Sequence, residues 1–188
     1  DCIAAQQECF LRGLIVPMEK LTDTSTFSPL LWVVAIMLET EKRKGDTKLN
    51  FIEFATCVQT STPLLKISDV VDEILAIREE RKNAENKKKY DTELISRKWE
   101  RYLKSERNFR DYADMNIRYL VSTGIVKRAG RGIMLSPEYH AMAVELSQNV
   151  VSTEPLKERL IRLCNGAPLP TDNEDMASKV LHEIITEL

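Results

Sequence analysis

Histidine is nearly absent from this chain of 188 residues, which holds only His140 and His182. Neither stands at a ligand spacing from the four cysteines, Cys2, Cys9, Cys57 and Cys164, and no CxxC pair occurs, so a zinc site is not expected. The cysteines read instead as reduced thiols of a cytosolic protein, three of them on the apolar faces of expected helices. A GxSxG elbow, a glycine-rich phosphate loop and a Cys/His pairing are also missing, which removes familiar routes to nucleophilic catalysis and nucleotide binding. No apolar run is long enough to span a bilayer, neither end reads as a signal peptide, and no repeat or low-complexity tract is visible. A strong charge of one sign is lacking too, since the net charge is -2. That total does not announce a nucleic-acid binder. The cations nevertheless gather between Arg78 and Arg131, and distribution matters more than the sum.

What is present is an ordinary globular composition, 43% hydrophobic and 30% charged, enough for one good core or two small ones. Helical periodicity dominates. Cys2 to Leu14 places Ile3, Phe10, Leu11 and Leu14 on one face. Ser28 is a helix cap before Pro29, where a missing N–H costs nothing, and Gly45 ends that helix. Its apolar run from Leu30 to Leu38 predicts a central, buried element. Asn50 and Glu53 form a capping box ahead of Phe51, Phe54, Ala55 and Val58. A further helix starts after Ser68 and runs through Val70, Val71, Ile74, Leu75 and Ile77 into the polar stretch Arg78 to Lys89, and the pattern returns with Leu94, Ile95, Trp99 and Leu103. Pro137 to Gln148 reads as a helix packing Tyr139, Ala143 and Leu146. Thr153 and Asp172 cap two more, separated by the linker-like Ala167-Pro168-Leu169-Pro170. A boundary near Val150 to Thr153 is expected, dividing 1–150 from a helical linker segment, 151–188. Asp1-Cys2 without an initiator Met, and an end at Leu188 within a helical pattern, suggest a piece of something longer.

The most informative stretch runs from Asn108 to Pro137. Phe109, Tyr112, Ala113, Ile117, Leu120 and Val121 collect on one side of a helix, and Gly124 follows its end in the position that favours a left-handed backbone. Two short apolar runs, Ile125-Val126 and Ile133-Met134-Leu135, then flank Lys127-Arg128-Ala129-Gly130-Arg131-Gly132, a hairpin with a basic tip. A helix followed by such a hairpin is the second half of a winged helix-turn-helix, in which the helix lies against a DNA groove and the hairpin cations reach phosphates. Helix and hairpin also occur together in protein-interaction modules, so both readings stand at this point. Arg110, Asp114 and Arg118, four residues apart, are able to pair along the helix instead of binding DNA.

Two further basic stretches carry a similar ambiguity. Arg78 to Lys82 with Lys87 to Lys89 can line a DNA backbone path, but the interspersed Glu79, Glu80 and Glu85 favour a solvated helix laced by i,i+4 pairs. Arg97, Lys98, Arg101, Lys104 and Arg107 form the second series, and Trp99 and Tyr102 within it read as core or half-buried cover rather than base-stacking platforms. Metal-dependent DNA cleavage needs carboxylates and a Lys gathered on a sheet. The tripeptides Asp46-Thr47-Lys48, Glu80-Arg81-Lys82 and Glu85-Asn86-Lys87 have the D/E-x-K form, but none is expected to have a strand beneath it or has an upstream Pro-Asp, and no catalytic residue is assigned.

The run Arg110-Asp111-Tyr112-Ala113-Asp114, then Arg118-Tyr119-Leu120, Thr123-Gly124-Ile125 and the hairpin ending Leu135-Ser136-Pro137-Glu138, resembles the corresponding segment of AlwI-type type IIS restriction and nicking endonucleases. Collinear features upstream agree: Cys9-Phe10-Leu11, Ser28-Pro29-Leu30-Leu31, Leu49 to Val58 and Asp72-Glu73-Ile74, so that the likeness spans about Phe10 to Asn149. The resemblance implies a modular enzyme in which a recognition region, a helical linker and a separate Mg-dependent PD-(D/E)xK nuclease domain follow one another. By this resemblance the chain looks like the later part of the recognition region and the start of the linker, with the nuclease domain expected downstream and no cofactor in the chain itself. The expected fold is mainly α, a winged helix-turn-helix with a short β-hairpin wing followed by additional helices. The expected partner is double-stranded DNA. Lys127, Arg128 and Arg131 are expected at phosphates or the minor groove, and Arg107, Arg110, Asn116 and Arg118 on the groove-facing helix, with Asn116 and Arg118 the candidates for base edges. A winged-helix transcription regulator without catalytic activity is the alternative, and an interaction scaffold that binds no nucleic acid is a third.

Overall fold

A computed structural model of the chain describes residues 2–14, 19–102 and 105–154. The expected helices after Thr153 and Asp172, the 167–170 linker, Cys164, His182, Leu103, Lys104 and the side chains of Arg101 and Tyr102 lie outside the described residues. Within them the protein is mainly helical, with two small three-stranded sheets.

Helix α1 (Cys2–Gly13) leads to the strand pair β1 (Glu19–Lys20) and β2 (Thr26–Phe27), and then to α2 (Pro29–Lys44). The Ser28 hydroxyl accepts from the Leu31 amide, Pro29 opens the helix and Gly45 closes it with φ 74°, as the sequence pattern predicts. Leu31 to Leu38 is buried except for Ala35, making α2 the central element that the apolar run implies. Strand β3 (Leu49–Asn50) follows, and Asn50 and Glu53 close the expected capping box, each side chain meeting the other's backbone amide at 3.0 Å. The short α3 (Phe51–Glu53) continues as a π-helical turn, Phe54–Val58, which sequence periodicity does not signal. That turn is buried throughout.

The polar stretch after Ile77 is broken, not continuous. Helix α4 (Ile67–Asn83) stops, and α5 (Lys87–Tyr102) restarts where the Asn86 side chain accepts from the Lys89 amide at 3.0 Å. Asn favours that capping role over a place inside a helix, because its short side chain competes for backbone hydrogen bonds. Helix α6 (Glu106–Ser122) then buries Phe109, Ala113, Ile117 and Leu120, and it leaves Val121 half-buried. Tyr112, expected on that apolar face, is 46% exposed and stands at the margin of the stripe. Ile3 is likewise exposed on α1.

Strands β4 (Val126–Ala129) and β5 (Gly132–Leu135) pair antiparallel, with Ala129 opposite Gly132. The basic segment is therefore not a six-residue tip. Lys127 and Arg128 belong to β4, and only Gly130 and Arg131 form the turn. A two-residue turn with a positive φ at its first position, here 62° at Gly130, matches the twist of the flanking strands. Leu49 and Asn50 add β3 to the other edge of β5, giving the order β3-β5-β4. A Cβ on Gly132 would stand 2.0 Å from the Leu49 carbonyl oxygen, so this close pairing requires glycine. Helix α7 (His140–Leu146), flanked by 3-10 turns, packs Ala143 and Leu146 inward. Strand β6 (Val151–Ser152) pairs with β2, so the segment expected to hold a domain boundary joins the N-terminal sheet.

One apolar core connects these elements. Cys57 lies in it, and burial, aided by Glu73, pushes its thiol up to about 12. Cys2 and Cys9, expected to be core or helix-end thiols, are free and exposed on α1. His140 meets Glu41 at 2.6 Å and ties α7 to α2. Among the described residues no helix is long and apolar enough to cross a membrane.

Candidate nucleic-acid interface

The cations proposed from sequence are mounted on α6 and the hairpin, and each position is set by local geometry. On α6, Arg107 lies 3.6 Å from Asp111, Arg110 lies 2.8 Å from Glu106, and Arg118 lies 3.0 Å from Asp114. All three pairs have the i,i+4 spacing, and the pairing along the helix that the sequence left open is realised. Arg128 reaches Asp114 as well, at 3.5 Å. Asp114 thus binds the helix and the hairpin together through two guanidinium groups.

The hairpin cations diverge because strand side chains alternate. Arg128 lies opposite Ile133, on the face that also carries the buried Val126 and Leu135, which directs it towards α6. Lys127 lies opposite Met134 on the other face, and Arg131 occupies the turn. The side chains of Lys127 and Arg131 have no partner among the described residues.

Asn116 and Arg118 do not share a face. Two positions on a helix are separated by about 200° of rotation, so one helix presents these side chains on opposite flanks. Asn116 is half-buried and lines a cavity of about 500 Å³ with Phe27, Trp32, Gln59 and the exposed Tyr112 and Met115. Arg118 is exposed on the flank with Arg107 and Arg110. Sequence reasoning paired the two by chemistry, and the helical rotation that separates them was available from their spacing.

The stretch Arg78 to Lys89 contains more tertiary structure than a solvated helix would. Arg78 donates from Nε to the buried Glu53 at 2.9 Å, and its Nη2 donates to the Glu53 carboxylate at 3.1 Å and to the Lys48 carbonyl. Burial acts against the Arg78 charge, but hydrogen bonding to Glu53 leaves its pKa above the ordinary guanidinium value. Arg81 holds Asp91 of α5 through two hydrogen bonds of 2.7 and 3.0 Å, which raise its pKa in the same direction. Glu80 accepts from Tyr90, whose hydroxyl burial and this carboxylate push up to about 12. The expected local pairs are present but looser, at 3.8 Å for Lys82 with Glu79 and 3.9 Å for Lys89 with Glu93. Further along α5, Lys98 meets Glu73 at 2.5 Å and Trp99 is half-buried against the core, as expected for cover.

These contacts also test the carboxylates against a divalent cation. Asp46-Thr47-Lys48 does run into a strand, β3, but the Asp46 carboxylate caps the Lys48 amide at 2.9 Å and Thr47 accepts from the Leu135 amide. Glu80 is bound to Tyr90, and Glu85 is exposed in the α4–α5 connection. Among the described residues no group of three or more His, Cys, Asp or Glu is placed to hold a metal ion.

The sequence profile of the AlwI restriction endonuclease family matches residues 1–188. The chain belongs to the AlwI restriction endonuclease family. That match covers both flanks of α6, the hairpin and the stretch beyond the described residues, and so extends past the span of about Phe10 to Asn149 on which the motif resemblance rests. A search of individual curated proteins finds no match to the chain.

Proposed function

We propose that this chain is the DNA-recognition part of a type IIS restriction endonuclease, gripping double-stranded DNA through α6 and the hairpin while a PD-(D/E)xK domain outside the described residues cuts. Membership in a restriction endonuclease family implies DNA as substrate and favours an enzyme over a non-catalytic transcription regulator. The observation that carries the recognition role is the arrangement of α6 against a sheet in the order β3-β5-β4. A helix that feeds directly into a two-stranded hairpin, with an earlier strand completing the sheet, supports the winged-helix reading. In that reading α6 is the groove-facing helix, Arg118 reads a base edge, and Lys127, Arg128 and Arg131 meet the backbone. Asn116, on the opposite flank, is left with a smaller part in base readout than the sequence suggested. Mg2+ would be held by the nuclease domain.

Binding of the chain to duplex DNA at low salt tests this. Each neutralised phosphate contributes about -0.9 to the log-log salt slope, so replacing Lys127, Arg128 and Arg131 together by Ala should flatten it by up to about 2.7 units. An unchanged slope, with an unchanged melting temperature, would remove the wing from the interface.

A further inference from the structure

Beside the hairpin turn lies a cleft of about 540 Å³ that neither α6 nor the hairpin forms alone. Its lining includes five cations, Lys48, Arg81, Lys88, Arg110 and Arg131, against a single carboxylate, Asp91. These cations come from five different segments: the loop before β3, the end of α4, the start of α5, the first half of α6 and the hairpin turn. Two of them are neutralised, since Arg81 holds Asp91 through both carboxylate oxygens and Arg110 is paired with Glu106. The side chains of Lys48, Lys88 and Arg131 have no partner among the described residues.

Three uncompensated like charges around one concavity repel each other, and the fold nevertheless holds their backbones in place. The Phe51 amide donates to the Arg131 carbonyl at 3.1 Å, which fastens the turn to the end of β3. Arg78 grips the Lys48 carbonyl and the buried Glu53 at once. Lys88 sits in the first turn of α5, behind the Asn86 cap. The cations are therefore pre-arranged, which lowers the ordering cost of meeting an anion.

We propose that this cleft holds a phosphodiester of the DNA backbone, a contact separate from the α6 and β4 surface, made by Lys48, Lys88 and Arg131. The inference rests on the DNA-binding reading above and adds to it a backbone site that includes Lys88, outside the helix–hairpin unit. Its consequence is that the DNA path extends past the hairpin turn towards the start of α5.

The salt dependence of duplex DNA binding by the full chain decides the matter. Lys48→Ala with Lys88→Ala, which spares the wing residue Arg131, is compared with a control that loses the same charge elsewhere, Lys20→Ala with Lys66→Ala. The cleft pair should flatten the log-log slope by about 0.9 to 1.8 units while the control keeps the parent slope and both retain the parent melting temperature. Arg131→Lys, which keeps the charge, should preserve most of the slope. If the parent binds DNA and the cleft pair leaves the slope intact, or if the control flattens it equally, the cleft is not a backbone site and the DNA-binding reading survives. If the parent does not bind duplex DNA even at low salt, both readings fall.

Discussion

The exposed flank of α6 and the cleft beside the hairpin turn carry the same kind of residue in opposite electrostatic states. On α6 every arginine has a carboxylate one turn away, and Arg128 of the hairpin shares Asp114 with Arg118. In the cleft, Lys48, Lys88 and Arg131 face a concavity without a side-chain partner. The difference follows from how each set is assembled. A helix with Arg and acidic residues four apart neutralises itself, whereas cations brought together from separate segments meet no such built-in partner. A run of positive charge in a sequence is therefore a poor guide to where an anion binds. Convergence of cations from distant segments is a better one.

The comparison breaks most severely if the anchor of the Lys48 backbone is removed. Arg78→Ala leaves Glu53 buried without its cation, and loss of one partner of a buried pair costs about 3 to 5 kcal/mol. Because Arg78 is itself only half-buried, the lower end is expected, read as a fall in the urea midpoint. A change below about 1 kcal/mol would mean that Glu53 is rescued by its Asn50 capping bonds and that Lys48 is not anchored as described.

A smaller effect is expected from Gly132→Ala, which drives a methyl group into the Leu49 carbonyl. Overpacking of this kind costs about 1 to 3 kcal/mol, and relief by separation of β3 from β5 would also shift the Arg131 turn away from Lys48. Loss of protection of the Phe51 amide, which donates to the Arg131 carbonyl, reports that separation in hydrogen exchange. Full protection in the variant would show that the β3–β5 pairing absorbs the methyl group without separating.

Asp114→Asn sharpens the contrast with the least cost to the fold. Exposed ion pairs contribute about 0 to 1 kcal/mol each, so the melting temperature should move little. Arg118 and Arg128 are freed together, and affinity for nonspecific duplex DNA at low salt should rise several-fold, with a slope steeper by about 0.9 to 1.8 units. An unchanged slope would show that these two arginines do not approach phosphates, and that the cleft is the principal cationic surface.

Much of the frame was legible because its signals are local. The Ser28 cap, the Asn50 and Glu53 capping box, the α2 apolar run and the left-handed Gly124 after α6 depend on residues within a few positions of each other. The α4–α5 break was less legible, since Asn86 had to be weighed against a long charged stretch with no apolar signal. Tyr112 and Ile3 were assigned to core faces on periodicity alone, and periodicity does not say where a stripe ends.

By itself the sequence determined the helical class, the hairpin after α6 and the restriction-endonuclease resemblance, since each rests on patterns or motifs contiguous in the chain. Tertiary structure alone decided which cations are free. It joined Leu49 to Ile133, tied Arg78 to Glu53 and Arg81 to Asp91, and gathered Lys48, Lys88 and Arg131 around one cleft. Charges interact through space and weaken with distance, so residues far apart in sequence set one another's state only once the fold has brought them close.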